Sequence, residues 1–106
     1  MSDTMTPEEL EQKLKGGNPP QVLDVRRKTD RESDPAMIPG AEWKDPEQVG
    51  EWGAALGSRE VVVYCARGGS VSRSVQENLR QKNIDAKFIE GGLEAWKRSG
   101  RSVEKP

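Results

Sequence analysis

The strongest constraint on the fold is an apolar run that ends at the only cysteine and leads into a glycine loop. Residues 61–64 are three valines and a tyrosine, which is typical of a short buried strand, and Cys65 follows directly. Gly68 and Gly69 come next, before a segment whose apolar residues recur every four positions. The pattern predicts a strand, a tight loop and a helix, with the thiol at the carboxyl end of the strand.

Such a loop has the chemistry of an anion site. Glycines permit backbone conformations in which successive N–H groups converge, and the following helix presents its positive end to the same place. These groups would favour the thiolate of Cys65 over the thiol and would so make it a usable nucleophile. Ligands of open α/β sheets bind outside the carboxyl ends of the strands, where this loop is predicted. The alternative is that Cys65 is a small core residue.

Strand and helix signals alternate along the whole chain. Helical signals cover residues 6–14, 45–56, 71–79 and 93–96, and strand signals cover residues 22–25, 61–64 and 86–89. This alternation predicts one α/β domain over residues 1–106, with its core at about 5–100 and a mainly parallel sheet flanked by helices on both faces. Residues 26–40 lack apolar periodicity and are predicted to form an exposed connection. Residues 101–106 are predicted to be a frayed tail.

Local residue chemistry predicts where the helices begin and end. Thr6, Pro7 and Glu9 form a helix-start signature, in which Thr6 is the cap and Glu9 completes a capping box. Asp45 begins the next helical segment in the same way, and Gly57-Ser58 is predicted to end it. Two later helices are predicted to end at Asn83 and Gly100.

The helix after the loop is predicted to be amphipathic. Val71, Val75 and Leu79 are assigned to its buried face. The residues assigned to its other faces are Arg73, Gln76, Glu77 and Arg80. The three tryptophans, Trp43, Trp52 and Trp96, are predicted to be core residues.

The composition excludes most ways of activating a cysteine. The chain has 106 residues, one cysteine and no histidine, so it can form neither a Cys-His dyad nor a Ser-His-Asp triad. One thiol cannot build a zinc-thiolate cluster, and no metal or other cofactor is expected. With 17 basic and 18 acidic residues the formal charge is −1, which gives no support to nucleic-acid binding.

The cysteine count also bears on the cellular compartment. A single cysteine cannot form an internal disulfide, and a reducing compartment suits a reactive thiol. No apolar run is long enough to span a membrane, and residues 1–4 have neither the basic start nor the apolar core of a signal peptide. A cytoplasmic protein with no membrane partner is therefore expected.

Four motifs in this order resemble those of single-domain rhodaneses, a family of sulfurtransferases. They are Val22-Leu23-Asp24-Val25-Arg26, Ile38-Pro39-Gly40-Ala41, Cys65 with its loop, and Glu90-Gly91-Gly92-Leu93-Glu94-Ala95-Trp96. The resemblance spans about residues 5–100 and implies the rhodanese-like three-layer fold, with five short strands of which the first lies around Met5. Many members of the family carry a histidine where this chain has Met37.

The resemblance also implies a two-step covalent cycle. Cys65 attacks the outer sulfur of thiosulfate or a similar small anionic donor, holds it as a persulfide, and passes it to cyanide or to a thiol acceptor, which includes protein thiols. The residues implied to bind the donor, chiefly through loop amides, are Ala66, Arg67, Gly68, Gly69, Ser70 and Val71. Arg67 is the best cationic contact for the donor, ahead of Arg73, unless its side chain points out to solvent.

Asp24 and Arg26 are implied to support the site rather than to touch the substrate. Family members use the corresponding pair to brace the region beside the catalytic loop. An acid inside a strand is also explained more simply, because a carboxylate at a strand end can accept hydrogen bonds from nearby backbone N–H groups.

Two other functions stay open. In the first, the domain carries a persulfide to a partner or only recognises a partner protein, with no turnover of its own. In the second, the domain is a cysteine phosphatase or an arsenate reductase, since related folds cradle an oxyanion after a catalytic cysteine. That chemistry requires an arginine six positions after the cysteine, where this chain has Val71, and the loop has the shorter rhodanese length.

Overall fold

A five-stranded parallel sheet forms the centre of the structure. The structure is a computed structural model, and it describes residues 4–17, 19–56, 60–67 and 69–104. The strands of the sheet are β1 (Thr4–Met5), β2 (Gln21–Asp24), β3 (Glu42–Trp43), β4 (Val61–Tyr64) and β5 (Ala86–Ile89). Their order across the sheet is β1-β5-β4-β2-β3, so β4 occupies the middle. All four pairings between these strands are parallel, and the first strand lies at Met5 as predicted.

The described ranges contain five α-helices, of which the first four lie between strands and the fifth follows β5. They are α1 (Pro7–Leu14), α2 (Lys28–Ser33), α3 (Val49–Trp52), α4 (Ser70–Gln81) and α5 (Gly92–Arg98). Helices α1 and α5 contribute buried residues to one face of the sheet, and α3 and α4 contribute them to the other. No helix in these ranges has the length and apolar character needed to cross a membrane.

Strand β4 is buried on both faces, which explains its unbroken apolar sequence. Val62 and Tyr64 belong to the core cluster shared with α1 and α5, whereas Val61 and Val63 belong to the cluster shared with α3 and α4. All four residues are fully buried. Burying an aliphatic side chain of this size contributes about 1.5–3 kcal/mol, so β4 is a main source of the stability of the domain.

Several predicted helix boundaries are confirmed. Thr6 caps α1 and exchanges both capping-box hydrogen bonds with Glu9. Asp45 accepts a hydrogen bond from the N–H of Glu47 at 2.9 Å and so caps the next helical turn. Asn83 and Gly100 follow α4 and α5 in left-handed conformations, with φ of 64° and 79°.

The continuous helix predicted over residues 45–56 is wrong. Short 3-10 turns, Pro46–Gln48 and Gly53–Ala55, lie on either side of the four-residue helix α3. Glycine lowers helix propensity by about 1 kcal/mol. At Gly53 it also allows close packing against α4, since a Cβ there would lie 3.0 Å from a methyl carbon of Leu79. Gly57 and Ser58, predicted to end this helix, lie outside the described residues.

The exposed connection predicted over residues 26–40 is wrong in part. Its first half contains α2, which has no buried residue, but Ala36–Ile38 are buried. Arg26 is only 2% exposed and donates a hydrogen bond to the carbonyl of Ala36 at 3.0 Å, which draws this stretch inward. A polar anchor of this kind produces no apolar periodicity, and the sequence pattern therefore did not show it.

The frayed tail predicted at the C-terminus is wrong for residues 101–104. Met37 and Glu104 form an antiparallel bridge with backbone hydrogen bonds of 2.7 and 2.8 Å. The indole N–H of Trp96 donates to the carbonyl of Ser102 at 2.8 Å. Backbone groups make these contacts, so the side-chain pattern of the segment gave no indication of them.

The three tryptophans differ in burial, although all were predicted to be core residues. Trp96 is buried in the cluster formed with α1. Trp43 and Trp52 are only half-buried, and their indole N–H groups donate to backbone carbonyls at 2.9 and 2.7 Å. Trp43 joins β3 to the connection that follows β2, and Trp52 packs against the core cluster from its edge and holds the segment before α3.

Substituting Gly91 by alanine should destabilise the domain. Gly91 precedes α5 with φ of 73°, and a Cβ there would lie 2.5 Å from the Cβ of Ala95. We expect the free energy of unfolding, measured by urea denaturation, to fall by about 2–4 kcal/mol from left-handed strain and steric overlap together. The control is Gly17→Ala, where the added Cβ meets nothing within 4 Å and the change should stay within about 0.5 kcal/mol. Equal losses in the two variants would contradict this account of the turn.

Candidate functional site

Cys65 lies at the carboxyl end of β4, where the central strand leads into its loop. The residue is 6% exposed and lines a cavity of about 500 Å³. The other described residues around the cavity are Arg27, Asp30, Ala66, Arg67, Gly69, Ser70 and Val71. The thiol is therefore shielded from bulk water on most sides and is reached from the cavity.

The first turn of α5 anchors the start of the loop. The N–H of Leu93 donates to the carbonyl of Cys65 at 2.9 Å, and the N–H of Glu94 donates to the carbonyl of Ala66 at 3.0 Å. N–H groups at a helix start have no partner within their own helix, so the two elements satisfy each other. Gly91 and Gly92, at φ of 73° and 60°, turn the chain sharply enough to bring α5 to the loop.

Five backbone N–H groups of the loop have no acceptor in the part of the protein that the structure describes. Among the described residues, no oxygen accepts a hydrogen bond from the N–H of Ala66, Arg67, Gly69, Ser70 or Val71. The last two begin α4, a helix of 12 residues, and so add the positive end of its dipole. Free donors at a helix start form a ready site for an anion. Gly68, also predicted to bind the substrate, lies outside the described residues.

A buried serine, which was not predicted as a site residue, contacts the thiol. Sγ of Cys65 lies 3.3 Å from Oγ of Ser72, and the hydroxyl of Ser72 donates to the carbonyl of Gly69 at 3.2 Å. Ser72 is fully buried. The thiol, the hydroxyl and the carbonyl therefore form a short hydrogen-bonded chain under the loop.

The face of α4 that packs on the sheet is shifted from the predicted one. Its buried residues are Ser72, Val75, Gln76 and Leu79. Val71 is half-buried at the cavity, and Gln76, which was assigned to an outer face, donates its amide to the carbonyl of Ala86 at 3.2 Å. The buried residues follow Ser72 by three, four and seven positions, a helical spacing that was obscured because two of the four are polar.

A buried ion pair lies beside the loop at the end of β2. The guanidinium of Arg26 donates to both carboxylate oxygens of Asp24 at 2.7–3.0 Å, and both side chains are shielded from solvent. Tyr64, opposite Asp24 in the sheet, accepts a hydrogen bond from the N–H of Ile38 at 3.2 Å. Burial, and after it the charge of Asp24, raises the pKa of Tyr64, which keeps its hydroxyl protonated. Arg26 and Tyr64 thus hold the backbone of the connection before β3, at Ala36 and Ile38.

The two arginines predicted to contact the donor have other partners. The side chain of Arg67 is 85% exposed, and its Nε lies 3.2 Å from a carboxylate oxygen of Glu94. An exposed pair of this kind contributes at most about 1 kcal/mol, so Arg67 can turn toward the cavity that it lines. Arg73 lies over the ring of Phe88, 5.5 Å from its centre, and is not among the described residues around the cavity.

Arg27, which was not predicted as a site residue, lines the cavity together with Arg67. It is exposed, it immediately precedes α2, and it makes no ion pair with any residue that the structure describes. Asp30, within the first turn of α2, brings a negative charge to the same cavity. The sequence pattern assigned both residues to a solvated charge run, because the position of α2 against the loop is a tertiary feature.

The cavity offers hydrogen-bond donors and cations to an anion. Five of the six residues predicted to bind the donor line it together with Cys65, and the sixth is Gly68. In the part of the chain that the structure describes, no three histidine, cysteine, aspartate or glutamate residues cluster closely enough to hold a metal ion. The arrangement can hold a small anion against a sulfur nucleophile.

Comparison with known proteins identifies the domain type. The family model of the rhodanese-like domain matches residues 6–99, which is most of the chain. No curated protein sequence matches significantly.

Solved structures share the fold. A rhodanese-like domain protein from Staphylococcus aureus is 28% identical, with 99% of each chain covered and a TM-score of 0.82. A rhodanese-related protein from Thermoplasma volcanium is 23% identical, with 97% of this chain and 98% of that chain covered and a TM-score of 0.82. A thiosulfate sulfurtransferase from Pseudomonas aeruginosa is 24% identical, with 99% of this chain but 20% of that chain covered and a TM-score of 0.81. The predicted fold is thereby confirmed.

Removing one partner of the buried ion pair should lower the free energy of unfolding. Arg26→Met leaves the carboxylate of Asp24 buried and unpaired, so we expect the free energy of unfolding to fall by about 3–5 kcal/mol. Arg98→Met, which removes an exposed ion pair with Glu94, should cost less than about 1 kcal/mol. The double variant Asp24→Asn/Arg26→Met should recover part of the loss because it removes the buried charge. Urea denaturation checks all three, and similar losses for the two single variants would refute a structural role of the buried pair.

Proposed function

The chain belongs to the family of rhodanese-like domains, within the sulfurtransferase superfamily, and we propose that it transfers sulfane sulfur from thiosulfate or a related anionic donor through a Cys65 persulfide. The observation that carries this proposal is the position of the thiol in a cavity lined by loop residues whose described N–H groups have no acceptor among the described residues. A nucleophile and an anion site thus share one cavity. The sulfurtransferase name of the Pseudomonas aeruginosa neighbour agrees with this assignment.

In the first step the thiolate of Cys65 attacks the outer sulfur of thiosulfate. A new S–S bond forms, the S–S bond of the donor breaks, and its electron pair leaves on sulfite. The product is a Cys65 persulfide anion, so charge is conserved without any proton transfer. This step needs no general base, which agrees with a chain that has no histidine.

The loop supplies the electrostatic stabilisation. The donor is a dianion and the persulfide is an anion, and both are stabilised by hydrogen-bond donors fixed beside the buried thiol. The N–H groups of Ala66, Arg67, Gly69, Ser70 and Val71 have no acceptor among the described residues. They can supply these hydrogen bonds without reorganisation, because α5 holds the loop through the carbonyls of Cys65 and Ala66. The same donors can therefore serve the donor complex and the covalent intermediate.

Arg27 is a stronger candidate than Arg67 for the cationic contact with the donor. Both line the cavity, but Arg67 shares its charge with Glu94, whereas Arg27 has no ion-pair partner among the described residues. A guanidinium can donate two hydrogen bonds to two oxygens of a sulfonate-like group. Arg27 would hold the sulfite end of thiosulfate, with Arg67 as a second cation that must first leave Glu94.

In the second step an acceptor removes the sulfur. Cyanide or a thiolate attacks the outer sulfur of the persulfide, the S–S bond breaks, and the electron pair returns to Cys65. The acceptor in the cell would be a small thiol or a protein thiol, and a cytoplasmic location would keep both thiols reduced. A phosphatase is disfavoured because Val71, half-buried at the cavity, stands where that chemistry needs an arginine.

Replacing the nucleophile should abolish sulfur transfer. Cys65→Ser removes the sulfur nucleophile, so we expect loss of thiosulfate:cyanide sulfurtransfer. Because serine has nearly the same volume as cysteine, the thermal midpoint should stay close to that of the parent chain. Ser74→Ala, on the exposed side of α4, serves as the control and should retain activity. Turnover by Cys65→Ser at the parent rate would exclude this mechanism.

The persulfide should be visible by intact mass spectrometry. Incubation of the reduced chain with thiosulfate should add one sulfur, about 32 Da, which cyanide or dithiothreitol removes. The Cys65→Ser variant should gain nothing under the same conditions. A parent chain that takes up no sulfur would favour a protein-binding module over a sulfurtransferase.

The charge of Arg27 should set the affinity for the donor. Arg27→Ala should raise KM for thiosulfate about fivefold, as expected for a partly exposed charge contact, and leave kcat nearly unchanged. Lys28→Ala is the matched control, because Lys28 is an adjacent exposed cation that is not among the residues around the cavity. Steady-state kinetics over a thiosulfate series measure both variants. An equal rise in KM for the two variants would show that only general surface charge affects thiosulfate binding, and an unchanged KM for Arg27→Ala would contradict the contact.

A further inference from the structure

Ser72 is placed where its hydroxyl can respond to the charge of Cys65. Its Oγ lies 3.3 Å from Sγ of Cys65 and 3.2 Å from the carbonyl oxygen of Gly69. The residue is fully buried, so water does not compete for either contact. A serine hydroxyl has one hydrogen to donate and can rotate to place it.

The direction of these hydrogen bonds depends on the charge of the sulfur. A neutral thiol donates to Ser72, whose hydroxyl then donates to the carbonyl of Gly69. A thiolate has no hydrogen and can only accept, so the hydroxyl must rotate and donate to the sulfur. The carbonyl of Gly69 is not left unpaired by this rotation, because the N–H of Arg73 also donates to it at 3.4 Å. The rotation therefore exchanges a neutral hydrogen bond for a charge-assisted one.

We propose that Ser72 is a catalytic residue that donates a hydrogen bond to Cys65 whenever its sulfur is anionic. It raises the thiolate fraction of the resting protein and stabilises the thiolate that departs when a persulfide is discharged. The first part concerns the protein alone, whereas the second rests on the proposed sulfur transfer. This role is separate from the proposed binding of the donor by the loop N–H groups.

The hydrogen bond from Ser72 to Cys65 acts most strongly in the step in which the acceptor removes the outer sulfur of the persulfide. The acceptor uses its electron pair to bond the outer sulfur of the persulfide, the S–S bond breaks, and the pair becomes the third lone pair of Sγ. Sγ is a neutral divalent sulfur before this step and a thiolate after it, so the hydrogen bond from Ser72 strengthens as the bond breaks. No proton is gained or lost, since the hydroxyl only rotates.

The test compares Ser72→Ala with Ser74→Ala, which makes the same change on the exposed side of the same helix. The first measurement is the ultraviolet absorbance of the thiolate in the full reduced chain, with Cys65→Ser as the blank. We expect the ratio of thiolate to thiol, read at a pH where both forms are present, to fall about tenfold in Ser72→Ala, the usual effect of losing a hydrogen bond to a charged group. Ser74→Ala should match the parent chain.

The second measurement is the rate of alkylation by iodoacetamide. We expect a fall of only about threefold in Ser72→Ala, because the intrinsic nucleophilicity of a less stabilised thiolate rises and offsets part of the loss. A third measurement follows the loss of the persulfide mass on addition of cyanide, which should be about threefold slower or more in Ser72→Ala. Ser74→Ala should be unchanged in both.

Ser72→Thr distinguishes the hydroxyl from packing. It restores the hydroxyl at the same position, so it should regain most of the thiolate absorbance and of the alkylation rate. It also provides a second readout if the alanine variant unfolds, which thermal denaturation would reveal. A folded Ser72→Thr chain with as little thiolate as Ser72→Ala, or a folded Ser72→Ala chain with the parent thiolate fraction, would overturn the role assigned to Ser72.

The outcome separates this inference from the proposed function. If the parent chain takes no sulfur from thiosulfate but Ser72→Ala lowers the thiolate fraction, Ser72 stabilises the thiolate and the sulfurtransferase proposal fails. If the parent chain turns over thiosulfate and Ser72→Ala changes neither the thiolate fraction nor the rate of persulfide discharge, the sulfurtransferase proposal stands and the inference on Ser72 is wrong.

Discussion

Burial of β4 on both faces is the constraint on which the rest of the structure depends. An apolar strand in the middle of a sheet must be covered from above and below, and the helical connections of a parallel sheet provide that cover. The fully buried side chains of Val61–Tyr64 join both core clusters to the same strand. The carboxyl end of β4 is then where the central strand opens to solvent, and Cys65 lies there. The position of the nucleophile and the stability of the domain thus have a common origin.

The chemistry of the loop depends on groups that lie far from it in the chain. The N–H groups of Leu93 and Glu94 hold the carbonyls of Cys65 and Ala66 and so fix the start of the loop. Arg26, which lines a cavity together with Ala66 and Leu93, binds Asp24 and the backbone of the connection before β3. Because the chain has no histidine, we expect the reactivity of the thiol to depend on fixed dipoles, hydroxyls and arginine side chains, and tertiary packing determines where these groups lie.

The sequence predicted those parts of the fold whose causes are local. The capping box at Thr6, the left-handed Asn83 and the strand before Cys65 each depend on residues within one or two helical turns of each other, and all are confirmed. The failures concern polar contacts over longer separations. Arg26 draws a polar connection inward through backbone carbonyls, and the C-terminal segment pairs with the backbone at Met37. Neither contact leaves a periodic signal in side-chain hydrophobicity.

For the site, the sequence by itself determined which residue is the proposed nucleophile, that a glycine loop follows it and that the chain has no imidazole base. These follow from residue types and from their order along β4, the loop and α4. Only the tertiary structure decided which groups face the thiol. It placed Arg27 at the cavity and Arg73 over Phe88, and it brought the hydroxyl of Ser72 within 3.3 Å of the sulfur. The physical reason is that the rotation of α4 and the position of α2 result from packing of the whole domain, whereas the sequence pattern specifies only that these segments are helical or polar.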